Sequence, residues 1–561
     1  MKKIAALLLS FAIVLSLTAC ESNKSSNDVD SKLFNISGAV DTESTETEPT
    51  DLPTRETTEE STSDTVSTET ETTPSDTLPS DTTETTPAPG IMLPSGFAIS
   101  HNLEKLEIYR ETEYFGCGQV EGSGDDMKVG RASAALYYLY DMNENSPLGK
   151  ALKSRYEKNS ELVGKVFSRL QKELELTGSG EYWIDFNQYY IEPEVLRADS
   201  EILSFIEGAH NYSFIELKDS ELYQPSSGNY RVKDGSVIEL RDVVKDLDAL
   251  AKIVEEKSNP SEYGYDELIK SVKDGTARFG ILYDGIYLPD FGKIPVIGNE
   301  KLFDLSYFGN TTTTDYTVRF DRDWKLEWDV DGDEVLDKIT LSIAKDPDSD
   351  SIGKLSILFN NDTYEYTSEQ IEYLENDMAY NEGMDSFVAF TDHGTFLFVL
   401  LEDFMFSTHV ILFKVDGGKL VPLDDYVCGV REICDPSDLL ISEGVEGIGI
   451  NSGTNRVRIS ENGELLYKSI YFDVYDGPYI TRVDLPGVMT DLWATDGGDT
   501  VIPKGSVVSI IRYIDEYDEF VAEVHNEDES KSYYVLLQKD REGKIGGYSI
   551  SEAFIGVSFG E

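Results

Sequence analysis

Residues 21–95 contain so few apolar side chains that they cannot build a hydrophobic core. Thr, Ser, Glu, Asp and Pro dominate this segment, most clearly in the stretch TETETTPSDTLPSDTTETTPAPG. A chain of this composition cannot offset the entropy lost on ordering its backbone, so the sequence predicts a disordered stalk. A flexible coil of that length spans about 45 to 50 Å. We therefore expect a folded head that a stalk separates from residues 1–20.

Residues 1–20, MKKIAALLLSFAIVLSLTAC, have the features of a secretory signal peptide. Two lysines precede an apolar run from Ile4 to Leu17, which is too short for a comfortable membrane span. The final LTAC resembles the lipobox of bacterial lipoproteins, which implies cleavage before Cys20 and attachment of lipid to its sulfur. The alternative is an ordinary signal peptide with an incidental cysteine. Later apolar runs are too short to cross a bilayer, so lipid on Cys20 is the predicted anchor, on the extracytoplasmic face of a bacterial membrane.

Acidic residues outnumber basic ones, 106 to 48, and give a formal net charge of −58. A surface of this charge repels nucleic acid and anionic lipid headgroups, and it favours cations or basic proteins as partners. We therefore expect no nucleic-acid partner. Solubility outside the cell is an equally simple explanation of the acidity.

The cysteines and histidines argue against two common kinds of site. Beyond Cys20 the cysteines are Cys117, Cys428 and Cys434, and an odd number excludes a complete disulfide framework. Cys428 and Cys434 are close enough in sequence to form a disulfide, and the sequence leaves open whether they do. The five histidines have no metal-ligand spacing, which argues against zinc.

Helical patterns and strand-like runs alternate in residues 98–310. The stretch SELVGKVFSRLQKELEL places apolar residues four apart from Leu162 to Leu174, which predicts an amphipathic helix. LRDVVKDLDALAKIVEEK and YDELIKSV predict two more helices. In FGILYDGIYL, the pair Asp284 and Gly285 predicts a tight turn between strands. This mixture predicts an α+β domain.

Helical periodicity fades after Tyr316. In residues 316–484, short apolar or alternating runs such as KITLSIA and THVILFKV are separated by Gly, Asp and Asn. This pattern predicts a β-rich domain, either propeller-like or made of stacked antiparallel sheets. Residues 485–561 contain five shorter strand-like runs, which predict a small β-barrel.

Two segments of the first domain resemble a known family. EVLRADSEILSFIEG and GNYRVKDGSVIELRDVVKDLDALAKIV are similar to the extracellular domain shared by RsiV-type anti-sigma factors and by non-catalytic regions of peptidoglycan deacetylases. The matching residues are Arg197, Ala198, Asp199, Ser200, Leu203 and Ser204 in the first segment, and Tyr230, Asp234, Gly235, Leu240 and Asp242 in the second. This RsiV-like resemblance covers about residues 100–310 and implies recognition of lysozyme or a wall ligand.

The C-terminal segment resembles bacterial SH3-like domains of cell-surface proteins. PKGSVVSIIRYIDEYDEFVAEV is similar to their opening hairpin, and ISEAFIGVSFGE is similar to their final residues. By analogy this SH3-like resemblance implies binding to a wall polymer such as peptidoglycan.

The stretch WDVDGDEVLDKITL has the spacing of a calcium loop. Asp329, Asp331, Asp333 and Asp337 stand at positions 1, 3, 5 and 9, and the carbonyl group of Val335 stands at position 7. Alternating oxygen ligands of this kind can surround Ca²⁺, which binds six to eight oxygens. The loop resembles those of integrin-type propeller repeats. The sequence therefore predicts a structural calcium site at these five residues.

Two positions depart from that pattern. Glu334 stands where such loops prefer glycine, since the turn favours a positive φ, and Thr340 replaces the bidentate glutamate of position 12. A bare acidic turn is therefore the alternative to a metal site.

Catalytic motifs are not evident in the sequence. It contains no H-E-x-x-H and no phosphate-binding P-loop, and FTDHGT around His393 is more typical of a turn than of a metal site. We expect a lipid-anchored, non-catalytic surface protein that binds or senses a wall component or a basic wall-active protein such as lysozyme. The alternative is a calcium-stabilised envelope scaffold or wall-polymer-binding protein, and an envelope hydrolase with an unrecognised site is a third class.

Overall fold

Strands dominate the structure, which is a computed structural model. It describes residues 32–38, 91–92, 97–121, 128–173, 177–178, 186–211, 226–258, 264–345, 352–367, 370, 379–380, 386–403, 408–447, 449–491, 497–514, 517–525 and 533–555. The described residues from 90 onward belong to one compact unit. Among them, no helix combines the length and hydropathy that crossing a bilayer requires.

The first large sheet precedes residue 240. The strands of this part are β1 (Lys32–Gly38), β2 (Ile91–Met92), β3 (Ala98–Leu103), β4 (Tyr109–Glu121), β5 (Lys128–Tyr140), β6 (Thr177–Gly178), β7 (Phe186–Ala198), β8 (Ile202–Asn211) and β9 (Ser226–Arg231). The sheet has the order β1-β4-β5-β7-β8-β9, with β6 paired to β5, and only the β5–β7 pair is parallel among them.

Helix α1 (Pro147–Lys172) covers one face of this sheet. It begins where Ser146 accepts a hydrogen bond from the backbone N–H of Gly149, 2.7 Å away, and Pro147 occupies its first turn. Its apolar positions pack with buried alanines of β5 in one cluster, as their spacing of four predicts.

A small helical layer and short strands follow. The helices are α2 (Leu240–Val243), α3 (Leu247–Lys257), α4 (Tyr265–Asp274) and a 3-10 helix (Leu305–Tyr307). The strands are β10 (Gly280–Ile281), β11 (Gly285–Leu288), β12 (Gly292–Pro295), β13 (Asn310–Thr312), β14 (Tyr316–Arg319) and β15 (Lys325–Trp328). The predicted helix in YDELIKSV and the turn at Asp284 are therefore confirmed, whereas the single helix predicted for LRDVVKDLDALAKIVEEK is divided into α2 and α3.

Antiparallel sheets make up the region after β15. Its strands are β16 (Asp337–Lys345), β17 (Ile352–Phe359), β18 (Asp362–Tyr366), β19 (Ala379–Tyr380), β20 (Phe387–Thr391), β21 (Gly394–Asp403), β22 (Thr408–Asp416) and β23 (Lys419–Val427). One sheet has the order β15-β16-β17-β18, and another has the order β14-β20-β21-β22-β23 with β19 paired to β21. The predicted β-rich region is confirmed as several antiparallel sheets.

The remaining strands form one larger sheet. They are β24 (Gly429–Glu432), β25 (Leu439–Gly447), β26 (Gly449–Ile459), β27 (Leu465–Tyr467), β28 (Tyr471–Thr481), β29 (Leu485–Thr490), β30 (Asp499–Ile502), β31 (Val507–Ile514), β32 (Glu519–His525), β33 (Tyr533–Gln538) and β34 (Phe554–Ile555), with a short helix α5 (Ile550–Ala553). The order is β24-β25-β26-β28-β31-β32-β33-β29-β30, with β27 paired to β26 and β34 to β28.

The small barrel predicted for residues 485–561 is not a closed barrel in the part of the chain that the structure describes. Strand β31 pairs with β28, which lies before residue 485, and β30 ends the pairing order. Because an edge of β31 is used by β28, these strands extend a larger sheet instead of closing on themselves.

One hydrophobic core extends across the predicted boundary between residues 310 and 316. Buried side chains from Phe97 to Leu420 belong to it, including Phe303 before the boundary and Trp328 after it. The two predicted domains on either side of this boundary therefore share one core, and the domain limits stay a prediction.

Strand β1 lies inside the segment that composition predicts to be a disordered stalk. Its sequence, KLFNISG, carries apolar residues that most of the stalk lacks, and it pairs antiparallel with β4. Residues 1–20, and with them the predicted lipidation site Cys20, lie outside the described residues.

A buried ion pair fixes the turn between β7 and β8. The Nε atom of Arg197 lies 2.5 Å from Oδ2 of Asp199, and both side chains are almost fully buried. The other oxygen of Asp199 accepts hydrogen bonds from the backbone N–H groups of Glu201 and Ile202. Arg197 also donates to the carbonyl group of Tyr307, 2.6 Å away, so this pair ties the turn to the 3-10 helix.

Replacing Arg197 by methionine should strongly destabilise the fold. The substitution leaves the Asp199 carboxylate buried without its cation, which costs about 3 to 5 kcal/mol. Urea denaturation measures the change in the free energy of unfolding. Lys165→Met is the matched control, because it removes an exposed pair with Glu161 and should leave the midpoint unchanged. Equal effects of the two substitutions would contradict the role assigned to Arg197.

Candidate metal centre

The predicted calcium loop connects β15 to β16. Trp328 and Asp337 face each other as the last and first residues of the two strands, so the intervening residues form a closed turn. Trp328 and Val330 are buried in the core, whereas Asp331 and Asp333 are exposed. The loop therefore starts in the core and projects its middle outward.

Three predicted ligands come together in this loop. One carboxylate oxygen from each of Asp329, Asp331 and Asp333 can be chosen so that all three atoms lie within 4.8 Å of one another. Asp329 is only 8% exposed, which places it on the inner side of the group. Carboxylate oxygens are ligands that Ca²⁺ prefers, and these three would supply part of the six to eight oxygens that it binds.

Backbone hydrogen bonds hold the carboxylates in place. The two oxygens of Asp329 accept from the N–H groups of Gly332, at 2.8 Å, and Glu334, at 3.1 Å. Asp333 accepts from the N–H of Val335, at 2.8 Å. Glu334 has a φ of 66°, as the sequence pattern requires of this position, and a non-glycine residue there costs about 1 to 2 kcal/mol.

The other two predicted ligands have different positions. Asp337 is buried, and its Oδ2 accepts from the N–H groups of Val330 and Asp331 at 2.8 and 3.3 Å. Its Oδ1 accepts from the side-chain amide of Asn360, 2.6 Å away. Asp337 thus braces the loop backbone. The side chain of Val335 is exposed, and the backbone N–H of Val335 donates to the carboxylate of Asp333.

Burial and mutual repulsion act on the acidic groups. Burial raises the pKa of Asp329, and the charges of Asp337 and Asp331 raise it further, against the lowering effect of its backbone hydrogen bonds. The pKa of Asp331 is raised by burial first and then by Asp337 and Asp333. When the loop is ionised, burial and repulsion among its carboxylates therefore cost free energy. A bound cation would offset that cost.

Two turns from other parts of the chain border the loop, and sequence reasoning missed both. Asn360, between β17 and β18, has a φ of 53° and binds Asp337. Gly418, between β22 and β23, has a φ of 72°, and a Cβ atom there would lie 3.0 Å from Oδ2 of Asp331. An asparagine and a glycine at turn positions were the only signals, and neither identifies its partner.

The other residues that the sequence analysis weighed are not part of this loop. Cys428 and Cys434 are free thiols, and burial raises the pKa of Cys428 to about 12. Nε2 of His393 lies 3.4 Å from Oδ1 of Asp392, and Asp392 is exposed. This contact between sequence neighbours fits the turn between β20 and β21.

No family model matches the chain, and no curated protein matches it. Among solved structures, a member of the DUF3298 family from Bacteroides fragilis aligns with 36% of this chain and 94% of its own, at 15% sequence identity and a TM-score of 0.22.

Removing one charge from the loop tests for a bound cation. Asp331→Asn keeps the shape of the side chain, so we expect loss of the rise in Tm that calcium causes in the unsubstituted chain. In chelator the variant should melt at a higher temperature than the unsubstituted chain, because repulsion among the carboxylates is reduced. Differential scanning calorimetry measures the first change at millimolar calcium, the range of extracellular modules, and the second in chelator.

Asp362→Asn, at an exposed aspartate outside the loop, is the control for this substitution and should respond to calcium like the unsubstituted chain. Identical melting of the unsubstituted chain in calcium and in chelator would contradict calcium binding.

Proposed function

We propose that the chain is a lipid-anchored, non-catalytic protein on the extracytoplasmic face of a bacterial membrane, where it binds a wall component or a basic wall-active protein such as lysozyme. The observation that carries the proposal is the LTAC sequence that ends at Cys20 directly after an apolar run. The formal net charge of −58 supports a basic partner, because complementary charge speeds encounter.

The proposal includes an RsiV-like α+β domain in residues 98–310. In support, the two segments that carry the resemblance lie on adjacent strands, with Leu203 opposite Tyr230 in the β8–β9 pair. Ser204 donates to the side-chain oxygen of Asn229, 2.7 Å away, and Arg197 is engaged in the buried ion pair. The side chains of Ser204 and Arg197 are thus engaged in contacts within the fold. A ligand would therefore contact other residues of the domain.

A structural calcium ion belongs to the same proposal. Asp329, Asp331 and Asp333 would hold it, and the ion would neutralise carboxylates that otherwise repel one another. Asp337 would act through the backbone of the loop, whose N–H groups it binds.

Replacing Cys20 by alanine tests the anchor. Lipid attachment requires the thiol sulfur of Cys20, so we expect the variant to leave the membrane fraction and to lose label in cells grown with a radioactive fatty acid. Cys117→Ala is the control and should keep both properties. Unchanged membrane association and labelling of the Cys20 variant would contradict a lipid anchor.

Titration with lysozyme tests the partner. We expect the full chain to give a saturable one-to-one isotherm in a calorimeter at physiological salt and millimolar calcium, and the isotherm should persist at higher salt. Surface charge alone gives binding that salt abolishes, since ions screen exposed charges beyond about 10 Å. Absence of heat with lysozyme, together with cosedimentation of the chain with insoluble peptidoglycan, would favour the wall-polymer alternative suggested by the SH3-like resemblance of residues 485–561.

A further inference from the structure

A lysine and an aspartate contact each other inside the hydrophobic core. Lys293 lies in β12, and Asp284 lies in the turn between β10 and β11, with 4% and 3% of their surfaces exposed. The buried residues Ile281, Ile286 and Ile294 belong to the same three strands and to the core. The pair is therefore shielded from water by apolar side chains.

The two carboxylate oxygens of Asp284 differ in their contacts. The Nζ atom of Lys293 is in direct contact with Oδ2 of Asp284 and also donates to the carbonyl oxygen of Arg319 in β14. Oδ1 of Asp284 is buried and has no hydrogen-bond partner among the residues that the structure describes. An ordinary buried carboxylate has both oxygens satisfied, so this one is poorly solvated as an anion.

An apolar environment favours the uncharged form of the Asp284 carboxyl group. Burial raises the pKa of Asp284, against the opposing charge of Lys293. Proton transfer from the ammonium group to the carboxylate gives a neutral amine beside a neutral carboxylic acid, and low polarity reduces the cost of that transfer. A neutral lysine amine is a nucleophile, and a carboxylic acid held against it is an electrophile.

We propose that Lys293 and Asp284 join in an intramolecular amide bond. The Nζ lone pair attacks Cγ of Asp284, the new C–N bond forms, and one C–O bond breaks. The departing oxygen takes the acid proton and one amine proton and leaves as water, so no oxidant or cofactor is needed. The amide keeps one N–H, which still donates to Arg319. The bond would lock β12 covalently to the preceding turn, independently of the proposed anchor and ligand.

Tryptic peptides distinguish the amide from an ion pair. In a digest of the denatured full chain, an unmodified Lys293 gives two peptides, Phe279–Lys293 and Ile294–Lys301. A lysine in amide linkage is not cut by trypsin. We expect a single peptide, Phe279–Lys301, whose mass is lower than the sequence mass by one water. The two separate peptides, or the uncut peptide at full mass, would overturn the proposal.

Two controls identify the bond. Backbone cyclisation at Asp284 and Gly285 also releases water but leaves Lys293 open to trypsin, so a lighter Phe279–Lys293 peptide would likewise overturn the proposal. Lys293→Arg keeps a cation beside Asp284 but lacks a nucleophilic amine, and it should give two peptides without loss of water. Lys257, which lies 2.6 Å from Asp323 at an exposed position, should be cut normally in the same digest.

Discussion

Burial of side chains from Phe97 to Leu420 in one hydrophobic core is the constraint on which the other features depend. Helices α3 and α4, the β11–β12 hairpin and inward-facing residues of later sheets all contribute to it. Polar groups that the topology places in or beside this core must find partners there, because water cannot reach them. The Arg197 pair and the Lys293 pair are two results: both oxygens of Asp199 accept hydrogen bonds, whereas Oδ1 of Asp284 has no partner among the described residues.

The same core determines the chemistry of the acidic loop. Trp328 and Val330 alternate into the core, so Asp329 between them is held at its edge and is mostly buried. Burial is therefore the largest cause of its raised pKa, ahead of repulsion from Asp337 and Asp331. A carboxylate that protein packing holds near two others gains more from a bound cation than one that is free to turn into solvent.

Patterns among neighbouring residues predicted local structure and the grouping of aspartates in the acidic loop. They did not predict pairings between residues that are distant in sequence. The four-residue spacing from Leu162 to Leu174 predicted helix α1, and the alternation of aspartates predicted the three carboxylates that meet. The pairing of β31 with β28 joins Tyr471 to Ile514, and no local pattern contains that information. For the same reason Asn360 and Gly418 could not be assigned to the acidic loop, since they approach it from turns of other strands.

The charge of the chain and its buried ion pairs have separate roles. Exposed acidic groups produce a field that extends about 8 Å in physiological salt and accelerates the approach of any cationic molecule. Such a field does not distinguish one basic protein from another, because the attraction depends on charge and not on shape. Selectivity for the basic partner proposed above would therefore come from the sheets, because a rigid surface can match the shape and hydrogen-bonding groups of one partner while leaving those of others unsatisfied.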